Sequence, residues 1–154
     1  MCIRDRLGPA DDARTFDHST LNQLELAERV VRESLRLHPA GVISPREAAR
    51  DLDIGGHRVA RGTLILWSAH LAGRDPDVWD DPLRFSPDRF IDMSDPQREA
   101  ADAARVPFGG GKRNCIGFAL AQMELTLLIA RFAQRLGIEP VSYTHLTLPT
   151  ICSV

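Results

Sequence analysis

Five prolines, Pro76, Pro82, Pro87, Pro96 and Pro107, are spread over residues 73–107. Each removes a backbone N–H and fixes one dihedral, so no long helix can cross this stretch. An ordered but irregular segment is expected there, with one short helical turn at DPDVW and a solvated loop or short helix over 92–105. Helical periodicity is confined to the two flanks. Leu24, Ala27, Val31 and Leu35 step by three and four and predict a helix from about Leu21 to Leu37, with Ser19 or Thr20 as its cap. His38-Pro39 ends it, because the residue before a proline is pushed out of the α region. The second helix is predicted from about Ile116 to Arg135, with Phe118, Ala121, Leu125, Leu128 and Phe132 as its stripe. Leu120, Met123, Leu127 and Ile129 make it apolar nearly all round, the pattern of a buried helix.

Residues 40–72 read as short strands. DLDI and HRV flank Gly55-Gly56, a hairpin signal, and TLILW (63–67) follows an Arg61-Gly62 turn. Trp67 and His70 fall on that last strand and its exit, with His70 read as a packing or surface residue; Trp79 is expected to anchor packing. The expected fold class is therefore mainly α with small β-sheets (α+β).

With 44% hydrophobic and 26% charged residues, the 154-residue chain lies in the globular range and suits about one domain. A net charge of −2 gives no reason to expect a nucleic-acid partner. Lys112 is the only lysine, so no arginine counts as a site residue without a positional reason. Cys2, Cys115 and Cys152 are odd in number and scattered, which is no disulfide framework; a reducing cytoplasm is the expected location. No apolar run approaches the roughly 18 residues of a membrane span, and the N-terminus lacks a signal-peptide stretch. Residues 1–19 are polar and irregular. Residues 141–154 carry no Arg, Asp, Glu or Lys and resemble translated sequencing-adapter sequence, as residues 1–6 do. Both are set aside as non-native, which leaves 20–140 as the functional unit.

The chemistry concentrates in PFGGGKRNCIG, residues 107–117. A glycine-rich loop delivers Cys115 to the start of the second helix, where first-turn N–H groups lack partners and the helix dipole is positive. That is a place to hold a thiolate. Gly109, Gly110, Gly111 and Gly117 let the backbone approach something flat or bulky, and Lys112 and Arg113 add positive charge. A phosphate-binding loop fails, because Val106 stands where its first glycine belongs and Arg113 follows the lysine. A zinc site lacks further ligands at spacing, and c-type haem attachment lacks its second cysteine. A nucleophilic cysteine and a buried structural cysteine stay open.

A second pattern lies upstream. Glu33 and Arg36 stand at i,i+3 on one face of the first helix, 82 residues before Cys115. By itself such a pair reads as a solvated helix salt bridge of a few tenths of a kcal/mol. PDRF (87–90) follows in the proline-rich segment.

Phe108, Gly111, Arg113, Cys115 and Gly117 fill F-x-x-G-x-R-x-C-x-G, and the loop resembles the cysteine loop of the cytochrome P450 family. ESLR (33–36) resembles that family's E-x-x-R helix motif, and PDRF resembles its PERF-like segment, with Asp88 in place of the usual Glu. The resemblance implies the C-terminal third of that fold. It implies haem b with Cys115 as the axial iron ligand, Phe108 shielding the sulfur, and Arg113 and Arg46 as propionate partners. Gly109 and Gly117 would let the loop lie against the cofactor. Glu33, Arg36 and Arg89 would form an architectural network clamping the proline-rich segment to the helix, a geometry arginine supplies and lysine does not. The family's activity is monooxygenation: two electrons come from a redox partner, a ferredoxin or a flavoprotein reductase, and one oxygen atom of O2 enters an organic substrate. The long helix that handles oxygen in the family has no counterpart in this sequence, so no catalytic residue is assigned. The alternative is a fragment that binds haem weakly or not at all and has no monooxygenase activity of its own.

Overall fold

Helix α1, Glu25–Leu37, turns Ala27, Val31, Glu33, Arg36 and Leu37 inward, so two charged side chains share its buried face with apolar ones. The computed structural model describes residues 24–136. Ser19, Thr20 and Leu21, the segments 1–19 and 141–154, and Cys2 and Cys152 lie outside the described residues. The helix as described has Leu24 at its N-cap, with no side-chain cap. Glu25 and Glu28 in the first turn and Arg36 in the last complement the helix dipole instead. His38 ends the helix as expected, its N–H donating to the Ser34 carbonyl at 2.7 Å.

Four short strands follow. β1 (Ile43–Glu47) pairs antiparallel with β4 (Leu64–Ser68), setting Arg46 opposite Ile65 and Ser44 opposite Trp67. β2 (Leu52–Ile54) and β3 (His57–Val59) form the hairpin predicted at Gly55-Gly56, where φ is +58° and +83°. Such a turn suits glycine. Asp51 braces its base, accepting from the Arg61 N–H at 2.9 Å and from Arg58 at 3.2 Å; these bonds hold its carboxyl below the ordinary value. The strand reading of 40–72 fails at its end. The Ser68 hydroxyl accepts the Leu71 N–H at 3.2 Å and starts a single helical turn, α2 (Ala69–Ala72). His70 lies in that turn, half-buried, within 3.1 Å of Arg74 Nη1.

The proline-rich stretch is irregular, as expected. Asp75 starts the DPDVW turn, accepting the Trp79 N–H at 2.9 Å. A 3-10 turn spans Pro87–Phe90, and helix α3 spans Asp95–Ala104. Pro96 falls in the first turn of α3, where its missing N–H has no helical partner to lose. Trp79, Phe90 and Ala101 make a small core with Val78, Met93 and Ala104 against them. Trp79 is the anchor foreseen, its indole N–H donating to the Ala72 carbonyl at 3.0 Å.

Helix α4, Phe118–Arg135, packs on α1. The buried line is Thr126, Ala130 and Gln134, not the predicted stripe; Leu128 and Phe132 are about half exposed. Ala27 and Ala130 meet in one cluster with Leu24, and Leu127 and Ile129 flank it. Two alanines let the backbones approach, so a small residue decided which face turned inward. Among the described residues no helix is long and apolar enough to cross a membrane.

Candidate functional site

The charged face of α1 builds a clamp. Arg36 binds Glu33 through two hydrogen bonds of 2.8 Å, Nε to Oε2 and Nη2 to Oε1. Arg89 Nε donates to Glu33 Oε1 at 2.9 Å, and the Ser86 N–H donates to the same oxygen at 2.8 Å. The remaining guanidinium donors go to carbonyls. Arg36 reaches Gly73, Pro82 and Arg84, and Arg89 reaches Asp80, Asp81 and Arg84. Glu33 and Arg36 are 0% and 1% exposed, so the pair is not the solvated bridge its spacing alone suggests. Burial pushes the Glu33 carboxyl up, but the hydrogen bonds from Arg36, Ser86 and Arg89 and the Arg36 charge outweigh it, and the group sits below its ordinary value. A buried charge is tolerated when it is paired and hydrogen-bonded this fully.

Several members of the clamp carried no sequence signal. Gly73 is one: a Cβ there would overlap the Arg36 backbone carbonyl, so the turn after α2 can approach α1 only as glycine. Ser86 and Arg84 act through their backbones, and a backbone contact leaves no residue-type signature. Two aromatic contacts thicken the same junction. The Arg36 guanidinium lies 5.1 Å from the Trp79 ring centre, and that of Arg32 lies 4.6 Å from Phe90. Asp88, at the position of the usual Glu, faces Arg29 at 3.4 Å.

The cysteine loop is built differently. The Cys115 N–H donates to the Phe108 carbonyl at 2.9 Å and closes the loop on itself. Gly109 has φ +81°, a conformation that favours glycine, and a 3-10 turn follows over Gly111–Arg113. The Phe108 and Phe118 rings meet edge to face at 5.3 Å, fixing the loop to the first residue of α4. Helix α4 begins at Phe118 with Gly117 as N-cap, two residues later than the predicted start at Ile116. Cys115 therefore precedes the helix, its carbonyl accepting the Phe118 N–H at 3.3 Å. The thiol is free and exposed, as are Lys112, Arg113 and Ile116. Gly117 keeps the space beside the sulfur open; a Cβ there would stand 3.8 Å from Cys115 Sγ.

Arg46 joins this site through the sheet. A cleft of about 180 Å³ is lined by Arg46, Trp67, Val106 and Gly110, so β1 and β4 face the cysteine loop across it. The Arg46 guanidinium lies 5.9 Å from the Trp67 ring centre. The structure thus gathers Phe108, Gly109, Arg113, Cys115 and Gly117 in one loop with Arg46 beside it. Glu33, Arg36 and Arg89 form a separate group.

The structure holds a buried glutamate–arginine clamp and, apart from it, a glycine-framed free cysteine on an α+β scaffold. The sequence profile of the cytochrome P450 family matches residues 8–150. The chain belongs to the cytochrome P450 family. It is 38% identical over 126 residues to cytochrome P450 139 of Mycobacterium tuberculosis, covering 81% of this chain and 29% of that protein. It is 37% identical over 135 residues to cyclooctat-9-en-7-ol 5-monooxygenase of Streptomyces melanosporofaciens, covering 88% of this chain and 29% of that protein. It is 37% identical over 122 residues to iridoid oxidase of Catharanthus roseus, covering 79% and 24%. The chain spans under a third of the length of the curated relatives it matches.

The family is one of oxidoreductases and implies a haem-iron cofactor. The residues present fit that group. Among the described residues no cluster of three or more His, Cys, Asp or Glu could hold a bare metal ion, which needs several protein donors. A single open thiol instead suits a metal whose equatorial positions are filled by its own macrocycle. The glycines of the loop leave room for a flat partner, and the cleft beside Arg46 adds a cation at its rim.

Proposed function

We propose that this chain is the haem-binding part of a haem-thiolate monooxygenase, with haem b held by Cys115. The observation that carries the reading is the free, exposed thiol on a loop closed by its own Cys115-to-Phe108 hydrogen bond. When bound, the haem supplies oxygen activation, and the whole protein inserts one atom of O2 into an organic substrate using electrons from a ferredoxin or flavoprotein. The chain's own residues hold and screen it. Cys115 presents its sulfur from the turn just ahead of α4, whose first residue, Phe118, donates its N–H to the Cys115 carbonyl. Phe108, braced edge to face on Phe118, would stand as the aromatic beside the bound sulfur. Arg113 and Arg46 supply cations for the two propionates, from the loop and from β1. The Glu33–Arg36–Arg89 clamp fixes the segment that leads into the loop and touches no reacting atom.

Haem reconstitution of the full chain, reduction and carbon monoxide test this reading. The expected result is the long-wavelength Soret band of a thiolate-bound ferrous carbonyl haem, lost in Cys115→Ser. A band that survives in Cys115→Ser rejects the assigned ligand. Failure of the wild-type chain to take up haem favours the alternative, a fragment with no activity of its own.

A further inference from the structure

Besides the Glu33 clamp, a second ionic link leaves α1, joining it to the end of α3 that leads into the cysteine loop. Asp102, in the last turn of α3, places Oδ1 3.6 Å from Arg32 Nη2 and 3.5 Å from Arg105 Nη2. Arg32 belongs to α1, where its guanidinium also rests over Phe90. Arg105 caps α3, with its N–H on the Ala101 carbonyl at 2.9 Å. The chain then enters the loop at once: the Val106 N–H donates to Ala104 at 3.2 Å, and the Val106 carbonyl accepts the Gly109 N–H at 3.1 Å. Both arginine side chains are largely buried, and neither Nε has a hydrogen-bond partner. One carboxylate oxygen therefore stands between two crowded cations. Without it they would repel each other across the junction of α1 and α3. Burial and the neighbouring Arg32 charge lower the proton affinity of Arg105, while Asp102 raises it.

Resting on the function proposed above, we propose that Asp102 is a positioning residue. By bridging Arg32 and Arg105 it fixes the point from which the loop 106–115 hangs, and so sets where Cys115 stands. The loop is closed on itself by the Cys115–Phe108 bond, so displacement at Arg105 carries the sulfur with it.

The test uses the full chain with Asp102→Asn, Asp102→Glu and, as a control on another α1 arginine, Asp88→Asn, which removes the 3.4 Å partner of Arg29. Amide hydrogen exchange is followed without haem, and haem affinity by titration. Asp102→Asn should speed exchange over residues 106–115 by about fivefold, the scale of a partly exposed charge pair, and weaken haem uptake to a similar degree. Asp102→Glu should restore both. Exchange over α1 should stay as in wild type, and Asp88→Asn should leave the loop unchanged. Unchanged loop exchange in Asp102→Asn overturns the proposal, as does acceleration spread evenly over α1 and the loop. Should Asp102→Asn fail to fold, Arg105→Gln, which leaves the Arg32 pair intact, is judged by the same two outcomes. The haem-free readout separates this proposal from the parent reading, which fails instead if the wild-type chain takes up no haem.

Discussion

The Glu33 clamp and the cysteine loop both gather charged residues and glycine, and they are finished to different degrees. In the clamp, Glu33 accepts from two guanidiniums and a backbone N–H, and the leftover arginine donors find carbonyls. In the loop, Lys112, Arg113, Cys115 and Ile116 are exposed, and the ties are short backbone turns, the Cys115–Phe108 bond and one ring contact. A buried ionic network has to be complete within the folded chain, because each unpaired member would be stranded out of water. A binding loop has the opposite requirement: its donors must stay open for what they are to hold.

Breaking the clamp should give the largest effects. Glu33→Gln leaves Arg36 buried beside a neutral amide and should lower unfolding free energy by about 3–5 kcal/mol, measured by urea denaturation. Trp79→Ala removes the anchor on which Arg36 stacks and should cost a similar ~3–5 kcal/mol in the same assay. If either variant unfolds at the wild-type midpoint, the clamp is not the rigid half of the comparison.

Acid probes the clamp without mutation. The folded Glu33 carboxyl lies below its ordinary value, so the unfolded chain binds the proton more readily. The stabilisation from Glu33 is thus full above the unfolded pKa of about 4.3 and is lost as pH falls through the folded value. Thermal midpoints should be flat with respect to this group near neutrality and fall below about pH 4.3. Cys115→Ser should change stability by no more than ~0.5 kcal/mol, since the thiol is exposed, while abolishing the thiolate haem spectrum. A stability loss as large as that of Glu33→Gln would mean the loop is structural after all. The smallest effect is expected from Asp51→Asn, confined to faster exchange in the β2–β3 hairpin.

Which residues would meet was legible where side-chain chemistry demanded partners. Glu33 and Arg36 at i,i+3 could be joined to Arg89 only through the resemblance of ESLR and PDRF to the family's motifs; the pairing itself suits a carboxylate and two guanidiniums. Their full burial could not be read, since the same spacing serves a solvated pair. The inward face of α4 was hidden for a different reason. A helix apolar on all sides carries no phase, and the small side chain of Ala130 chose the contact instead. Gly73 and the Ser86 N–H were invisible because they act through backbone geometry. The start of α4 slipped from Ile116 to Phe118 because Gly117 serves as the cap. Arg46 lines a cleft with Gly110 of the cysteine loop through the β1–β4 pairing, which the sequence did not mark: the turn signal at Gly55-Gly56 belongs to β2 and β3.

The hairpin turn offers a practical handle. Gly55 and Gly56 have no heavy atom within 4 Å of the space where a side chain would begin, and among the described residues the strands they join pair with each other alone. A tether inserted between them would be carried outward on a two-stranded arm. The chain could then be attached to an electrode or a bead with the thiol left free for spectroscopy.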